Sequence, residues 1–334
     1  MTEAAGDSAA FLYGADVLKC RRLYILLRLQ SRGLALKNTQ RTKAYIATVV
    51  SHVFWGFSFM ASRTALDHVP VFQMVSHRFL LAFLAMNLLL LTRRFRLDLK
   101  HKPWGMLLLL GLMEPVIYFI GETYGLLHSN TIFSGVMIAM IPIAATLAAW
   151  PALKERPTAG QLIFSLISVG GVIGIGLLSS DSGVLDLIGL IGLVVAVASA
   201  AGYSLISRSQ SASFTPFERC YMMMALGAAV FTPLAFVQTK GSLGEYLAPF
   251  REPGYAAAVL YLVIFASVVC FVLSGYSLTY LSIAEESVFS NLTTAVSVFA
   301  GAVFLHEPFS WLSLLFCLII LIGIWGVQKT APKR

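Results

Sequence analysis

Charged side chains are scarce in this chain, at 12% of its 334 residues, whereas ordinary soluble domains average about 25%. Cysteine is rarer still, with four residues in the whole chain. These are Cys20, Cys220, Cys270 and Cys317, which stand far apart in the sequence and form no CxxC pair. The sequence therefore predicts neither a disulfide framework nor a metal site, and it indicates no cofactor. The phosphate-loop pattern GxxxxGKS/T and the HExxH and GxSxG patterns are also missing, so nucleotide hydrolysis and common hydrolase chemistry are not indicated.

Apolar residues make up much of the rest, at 58% of the chain. They fall into ten stretches of about twenty residues, each long enough to cross the roughly 30 Å hydrocarbon core of a bilayer as a helix. The stretches cover 44–65, 71–92, 104–124, 132–150, 160–178, 187–207, 218–238, 256–276, 286–305 and 311–328. We therefore expect an all-α membrane protein with ten transmembrane helices, which works between its helices rather than in a soluble domain.

The net charge of +8 is explained by membrane orientation and not by nucleic acid as a partner. With a cytoplasmic N-terminus, twenty lysines and arginines lie inside and three lie outside, namely Arg63, Lys240 and Arg251. The positive-inside rule then predicts a multi-pass plasma-membrane protein with both termini in the cytoplasm.

The two ends of the chain fall outside this pattern. Residues 1–43 form a basic cytoplasmic leader, and residues 329–334 form a cytoplasmic tail. Three interpretations of the leader stay open: a basic helix on the inner leaflet, a disordered segment, or a start codon set too far upstream. A signal peptide is not predicted, since no uninterrupted apolar core follows a basic start.

The chain also repeats itself. Moving it by 152 positions places Glu155 on Glu307, Gly171 on Gly323 and Tyr124 on Tyr276, and a shift of 145 places Ser62-Arg63 on Ser207-Arg208. Each copy holds five spans, and because five is odd the second copy enters the membrane in the opposite sense. Such inverted repeats are typical of secondary transporters that alternate access to a central site.

Several short motifs carry a family resemblance: Trp55-Gly56, His77-Arg78-Phe79, Pro142, Lys154-Glu155-Arg156 and the Gly170-Gly171 pair. With them the chain resembles the EamA-type domain of the drug/metabolite transporter superfamily, in two copies at 44–180 and 187–328. The second copy is weaker, because Thr294 stands where the first has Pro142 and its first helix lacks a Trp-Gly pair.

The resemblance implies a central cavity and a secondary transporter in the bacterial inner membrane, which exports small metabolites such as amino acids by alternating access. A nucleotide-sugar or sugar-phosphate antiporter is the alternative within the superfamily. Such a site needs several cationic side chains for phosphate, and only Arg78 lies clearly within a span. A membrane-embedded enzyme or a scaffold is the alternative of another class, and whether the chain forms a homodimer stays open.

Candidate substrate-binding residues begin in the third span. Glu114, Tyr118 and Glu122 stand at i, i+4 and i+8 and share one helix face. A carboxylate at mid-bilayer costs at least about 2.5–3.5 kcal/mol, which favours a functional role for Glu114 over a purely structural pairing. Pro115 follows directly, and we expect it to kink the helix.

Further candidates lie in three other spans. Trp55 and Ser58 belong to a polar face of the first span at about the depth of Glu114, although small residues such as Ser58 also serve close helix packing. Pro142 predicts a second kink, in the fourth span. Asn291 and Thr294 share a face of the ninth span, where they either bind substrate or join helices.

Three residues are candidates for gating or coupling. Arg78 and Glu122 lie in the outer halves of their spans, where a salt bridge between them is expected either to hold the structure or to open as a gate. His52, beside the polar face of the first span, is a candidate proton relay. A hydrogen bond to a neighbouring carbonyl is the simpler role for that histidine. Glu286 stands at the start of the ninth span, where helix capping is its simple role.

Overall fold

The computed structural model describes residues 39–92, 95–98, 102, 104–153, 158–181, 186–281, 286, 289–307 and 309–330. Regular secondary structure within these ranges is helical, and no β-strand occurs among them. The chain divides into two compact units, Met1–Ala44 and Tyr45–Arg334. The predicted leader lies outside the described residues up to position 38, and its last residues from Thr39 on already belong to the first helix.

Each predicted span overlaps helix in the described residues, but one span is divided and one short helix lies between spans. In chain order they are α1 Thr39–Leu66, α2 Val71–Leu91, α3 Trp104–Leu127, α4 Thr131–Ile138, α5 Ile141–Leu153, α6 Ala159–Asp181, α7 Leu187–Ser209, α8 Pro216–Gln238, α9 Leu243–Leu247, α10 Pro253–Tyr280, α11 Ser290–Phe304 and α12 Trp311–Lys329.

Helix length and composition identify the class of protein. Within the described residues, six helices are long and apolar enough to cross a membrane, namely α1, α2, α3, α7, α8 and α10. Four shorter apolar helical stretches accompany them, at Thr131–Ala145, Ala159–Ile175, Leu292–Phe304 and Trp311–Val327. Large apolar side chains point outward, among them Leu88 at 65%, Leu166 at 72% and Trp311 at 87% exposure. Such surfaces are stable in lipid and not in water, so the chain is a multi-pass membrane protein.

Two helices lose regular α geometry at matching places. In α3, residues Leu112–Ile117 are π-helical, and Glu114 leaves helical geometry altogether with φ −141° and ψ 115°. In α10 the π-helical segment is Leu262–Val269. The repeat shift of 152 positions carries the first segment onto the second. Segments of this kind often mark functional sites, because they free backbone groups from the helical ladder.

The fourth predicted span is not a single helix. The sequence predicts continuous helix over 132–150, but α4 ends at Ile138 and α5 starts at Ile141. The reason is Pro142, which has no N–H to give to the carbonyl of Ile138 and whose ring excludes that carbonyl from the usual position. Pro142 itself sits in the first turn of α5, where a missing donor does no harm.

Helices α6 and α12 pack through glycines in a reciprocal way. A Cβ atom at Gly174 would lie within 2.5 Å of the Phe316 ring, and one at Gly326 would overlap the ring of Phe164. These two contacts exchange partners under the shift of 152 positions. Small residues let the backbones approach closely, which drives helix association in membranes.

A second pair of contacts follows the same repeat. Arg63, near the end of α1, donates to the carbonyl of Leu126 at 3.1 Å, and Arg208, near the end of α7, donates to that of Leu278 at 3.4 Å. Each arginine thus donates to a carbonyl in the last turn of α3 or α10, where regular intrahelical donors run out. Glu307 caps the N-terminal end of α4, because its carboxylate accepts from the backbone N–H groups of Thr131 at 2.9 Å and Ile132 at 3.0 Å.

Buried apolar side chains form two clusters. The larger draws mainly on α1, α2, α3, α7, α8 and α10, and the smaller draws mainly on α4, α5, α6 and α12, together with Leu193 of α7. The start of α7 lies outside the membrane and is capped by Asp186. The backbone N–H of Gly189 donates to the Asp186 carboxylate at 2.9 Å, and this hydrogen bond lowers the pKa of Asp186. These clusters and caps fix the helices that surround the site.

Candidate functional site

A cavity lies among α1, α2, α3, α4, α5, α7, α10 and α11. Its walls combine aromatic rings, aliphatic side chains and a few ionisable groups, which is the usual make-up of a small-molecule site. The lining residues are His52, Trp55, Ser58, Phe59, Arg78, Glu114, Tyr118, Phe119, Glu122, Ile138, Ile141, Pro142, Ala145, Ala200, Tyr203, Ser204, Ser274, Leu278, Glu286 and Thr293.

The polar face of the third span reaches this cavity. Glu114, Tyr118 and Glu122 all line it, and they are 7%, 9% and 3% exposed. The extended backbone at Glu114 interrupts the helix directly before Pro115, in the π-helical segment. Pro115 itself is buried and does not line the cavity. The irregular segment therefore presents the Glu114 carboxylate to the cavity.

Trp55 spans the cavity wall between α1 and α10. Its indole N–H donates to the carbonyl of Ala266 at 3.0 Å, and its ring meets Phe271 edge-on at 5.6 Å. Ser58 also lines the cavity, while its hydroxyl donates to the Trp55 carbonyl at 2.7 Å. Ala266 stands 152 positions after Glu114, so the two π-helical segments offer a carboxylate in one half and a backbone carbonyl in the other.

The predicted salt bridge between Arg78 and Glu122 is wrong. Within the described part of the chain, no ion pair joins them within 4.0 Å. Arg78 donates instead to the Ser267 hydroxyl at 2.8 Å and to the Ala266 carbonyl at 3.5 Å, and its guanidinium lies 4.4 Å from the Phe119 ring centre. The physical reason is that Ser267 and Ala266, in the π-helical segment of α10, lie within reach of Arg78, and the periodicity of single spans does not reveal this contact between helices.

A second polar group joins α1 to the segment before α11. The His52 ring approaches Glu286 Oε1 at 3.3 Å and Thr293 Oγ1 at 2.9 Å, and that hydroxyl also donates to the His52 carbonyl at 3.1 Å. The sequence predicts only a capping role for Glu286, but this residue pairs with His52 in the cavity wall. The His52 ring thus contacts two side chains from other parts of the chain, and not the neighbouring carbonyl of its simpler predicted role.

In the ninth span, the threonine that lines the cavity is not the one that the sequence predicts. Thr293 lines the cavity, whereas Thr294 is buried and donates to the Gly135 carbonyl at 3.2 Å. A rotation of one residue moves a side chain by about 100° around a helix, and this step separates the two threonines. The Asn291 side chain lies outside the described residues. Pro142 lines the cavity beside the break between α4 and α5.

Sequence reasoning missed several lining residues that the repeat would have identified. Ser274 stands 152 positions after Glu122, and Tyr203 and Ser204 stand 145 positions after Ser58 and Phe59. Each of these matches a cavity residue of the first copy. Among the described residues, no group of three or more His, Cys, Asp or Glu side chains that could hold a metal ion is found.

Comparison with known proteins agrees across the whole membrane region. The model of the EamA-like transporter family matches twice, at residues 42–177 and 187–328. The "Uncharacterized transporter YcxC" of Bacillus subtilis is 34% identical and covers 88% of this chain and 96% of its own length. The "Probable terminal-alkyne amino-acid exporter" of Streptantibioticus cattleyicolor is 26% identical over 80% of this chain and 86% of its own.

The fold of this chain is also similar to that of a solved crystal structure. It aligns with a TM-score of 0.61 and 17% identity over 88% of this chain and 100% of its own, a likeness that concerns the fold alone. The two matched regions of the family model together cover most of the chain. This protein therefore belongs to the EamA-like transporter family.

Proposed function

We propose that this protein is a secondary transporter that exports small metabolites, such as amino acids, across a bacterial inner membrane. Ten transmembrane helices in two inverted five-helix halves would expose the cavity alternately to either side, with both termini in the cytoplasm. The observation that carries the proposal is the buried, carboxylate-bearing cavity at the matched π-helical segments. Family membership and relatives named as transporters support transport over catalysis.

The two-halves arrangement draws support from the reciprocal contacts. The glycine packing of α6 on α12 and the two arginine caps each occur twice, related by the same repeat shifts. A pseudo-twofold relation between halves is the basis on which many transporters alternate access. Both helices that carry the irregular segments, α3 and α10, contribute residues to the cavity wall.

Substrate contact is assigned to Trp55, Ser58, Glu114 and Tyr118, which line the cavity together, and Thr293 takes the place of Thr294. Asn291 remains a candidate from the sequence. The phosphate-carrying alternative is disfavoured, because Arg78 is the sole lysine or arginine among the described lining residues. A doubly charged phosphate group calls for several such donors.

Gating is assigned to the polar contacts that hold helices together across the cavity. His52 with Glu286 joins α1 to the segment before α11, on the side we assign to the cytoplasm. An exporter must open this side to load, so the contact would break in the loading state. Arg78 and Glu122 belong to the outer half, where Arg78 holds α2 against α10.

Metabolite profiling tests the proposal. Medium and cytosol from cells that express the protein are compared with those of Glu114→Gln cells, at equal amounts of protein in the membrane. We expect a few related metabolites to accumulate outside with the unchanged protein and their export to fall at least about tenfold in the variant, because the mid-membrane carboxylate has no other evident use.

The matched control is Glu252→Gln, an identical chemical change at an exposed loop position. Export at the unchanged level is expected for this variant. Equal export by the Glu114→Gln protein would remove Glu114 from the transport mechanism. Unchanged metabolite pools in both compartments, with the protein in the membrane and uptake assays also negative, would contradict the transporter itself.

A further inference from the structure

The charges around the cavity are unbalanced. Among the described lining residues, Glu114, Glu122 and Glu286 carry carboxyl groups, whereas Arg78 is the one permanent cation. Glu286 has a partner within the protein, because the His52 ring lies 3.3 Å from its oxygen. The two remaining acids, both on α3, exceed what a single guanidinium satisfies, so the cavity as a whole favours a positively charged guest.

Arg78 is engaged by the protein and is not free to hold the carboxylate of a substrate. Its side chain is 2% exposed, and it donates to the Ser267 hydroxyl at 2.8 Å and the Ala266 carbonyl at 3.5 Å. The guanidinium face rests on the Phe119 ring at 4.4 Å. Moving it to a guest would break both hydrogen bonds to α10 and leave the Ser267 hydroxyl without this donor, and that loss would offset the hydrogen bonds formed with the guest.

Glu114 is in the opposite position. It is 7% exposed, and no ion pair within 4.0 Å joins it to another described residue. A buried carboxylate is costly unless a cation or several donors satisfy it. The aromatic rings of Trp55, Tyr118 and Tyr203 line the same cavity, and such rings attract cations through their faces.

We infer that the cavity recognises an ammonium group at Glu114 and selects hydrophobic primary amines over the zwitterions and acids of the same carbon skeleton. The inference rests on the proposed function, because it names the substrate class of that same cavity. An amino acid would then bind through its amine, and its carboxylate would weaken binding near Glu122 instead of strengthening it.

Four small molecules with one aromatic skeleton test this inference. Phenethylamine, phenylalanine, phenylacetate and 2-phenylethanol are titrated into the purified full-length protein in detergent by calorimetry, at neutral pH and constant ionic strength. We expect phenethylamine to bind at least about tenfold more tightly than the other three, as for a hydrogen bond to a charged group. Glu114→Gln should remove that preference, and Glu252→Gln should keep it.

Binding of phenylalanine or phenylacetate at least as tight as that of phenethylamine would overturn the inference, as would equal binding of 2-phenylethanol or no binding of the amine. The unchanged protein decides these outcomes even if Glu114→Gln does not fold. Flux in sealed proteoliposomes separates the two claims. Amine binding without translocation of any ligand contradicts the proposed transport and leaves the inference standing. Phenylalanine flux without amine preference contradicts the inference and leaves the proposed transport standing.

Discussion

The polar residues of the cavity differ in what they contact, and that difference assigns their roles. Arg78 and Trp55 both donate to Ala266, so they tie α2 and α1 to α10. Glu114 has its carboxylate toward the cavity. His52 and Glu286 contact each other across helices that are far apart in the chain. At the scale of single residues, we propose that the first pair stabilises the bundle and that the last pair is the contact that opens in the transport cycle.

A double-mutant cycle with His52→Ala and Glu286→Ala tests that contact. We expect a coupling energy of about 0.6 kcal/mol, up to about 1.7 kcal/mol, which is the range for polar contacts between membrane helices. The two side chains are only 8% and 13% exposed, so water competes little for them. Thermal unfolding of the purified proteins in detergent measures the coupling.

The chain contains its own control for this cycle. His128 and Asp186 form a second histidine–carboxylate contact at 2.7 Å, with 30% and 53% exposure. Exposed pairs of this kind contribute little to stability, so the same cycle at His128 and Asp186 should give no measurable coupling. If the buried and exposed pairs give the same result, His52 does not hold Glu286 in the populated conformation.

Glycine spacing decides how the elements pack. A Cβ atom at Gly171 would lie 2.6 Å from the Ile320 side chain and 3.1 Å from the Phe316 carbonyl, whereas Gly170 has open space within 4 Å. The two neighbours thus face a helix and the lipid, respectively. Both glycines belong to the motif that carries the family resemblance, but only Gly171 is needed for contact.

Gly171→Ala is therefore expected to destabilise the protein by about 1–3 kcal/mol, because an added methyl group overpacks the α6–α12 contact. Gly170→Ala should be neutral or slightly stabilising, since alanine is the better helix former. The melting temperatures of the two variants in one detergent give the comparison. Equal melting temperatures would mean that α6 and α12 do not pack through this face.

At the scale of the whole molecule, the repeat and the charge distribution together predict an orientation. Six helices that are long and apolar enough to cross a membrane and four shorter apolar helical stretches are present in the described residues, and the basic loops alternate with neutral ones along the sequence. In the proposed topology the segment between α7 and α8 lies in the cytoplasm, and the segment that contains α9 lies outside.

Thiol labelling tests this topology. Ala212 and Glu245 are exposed positions in these two segments. In intact cells, a membrane-impermeant maleimide should label Glu245→Cys and spare Ala212→Cys, and both should react once the cells are permeabilised. The background is a Cys20→Ser protein, in which Cys220, Cys270 and Cys317 are buried. The opposite labelling pattern would reverse the orientation and exchange the inner and outer gates.

Much of this architecture was predictable from local pattern, because hydrophobic run length and helical period depend on neighbouring residues. The sequence by itself determined the apolar helices, the polar positions Glu114, Tyr118 and Glu122 of the third span, and the family. The tertiary structure decided which groups meet: Arg78 with Ser267, His52 with Glu286, and Thr293 in the cavity in place of Thr294. These choices join positions far apart in the chain and depend on π-helical segments and a single-residue helix rotation, which periodicity does not encode.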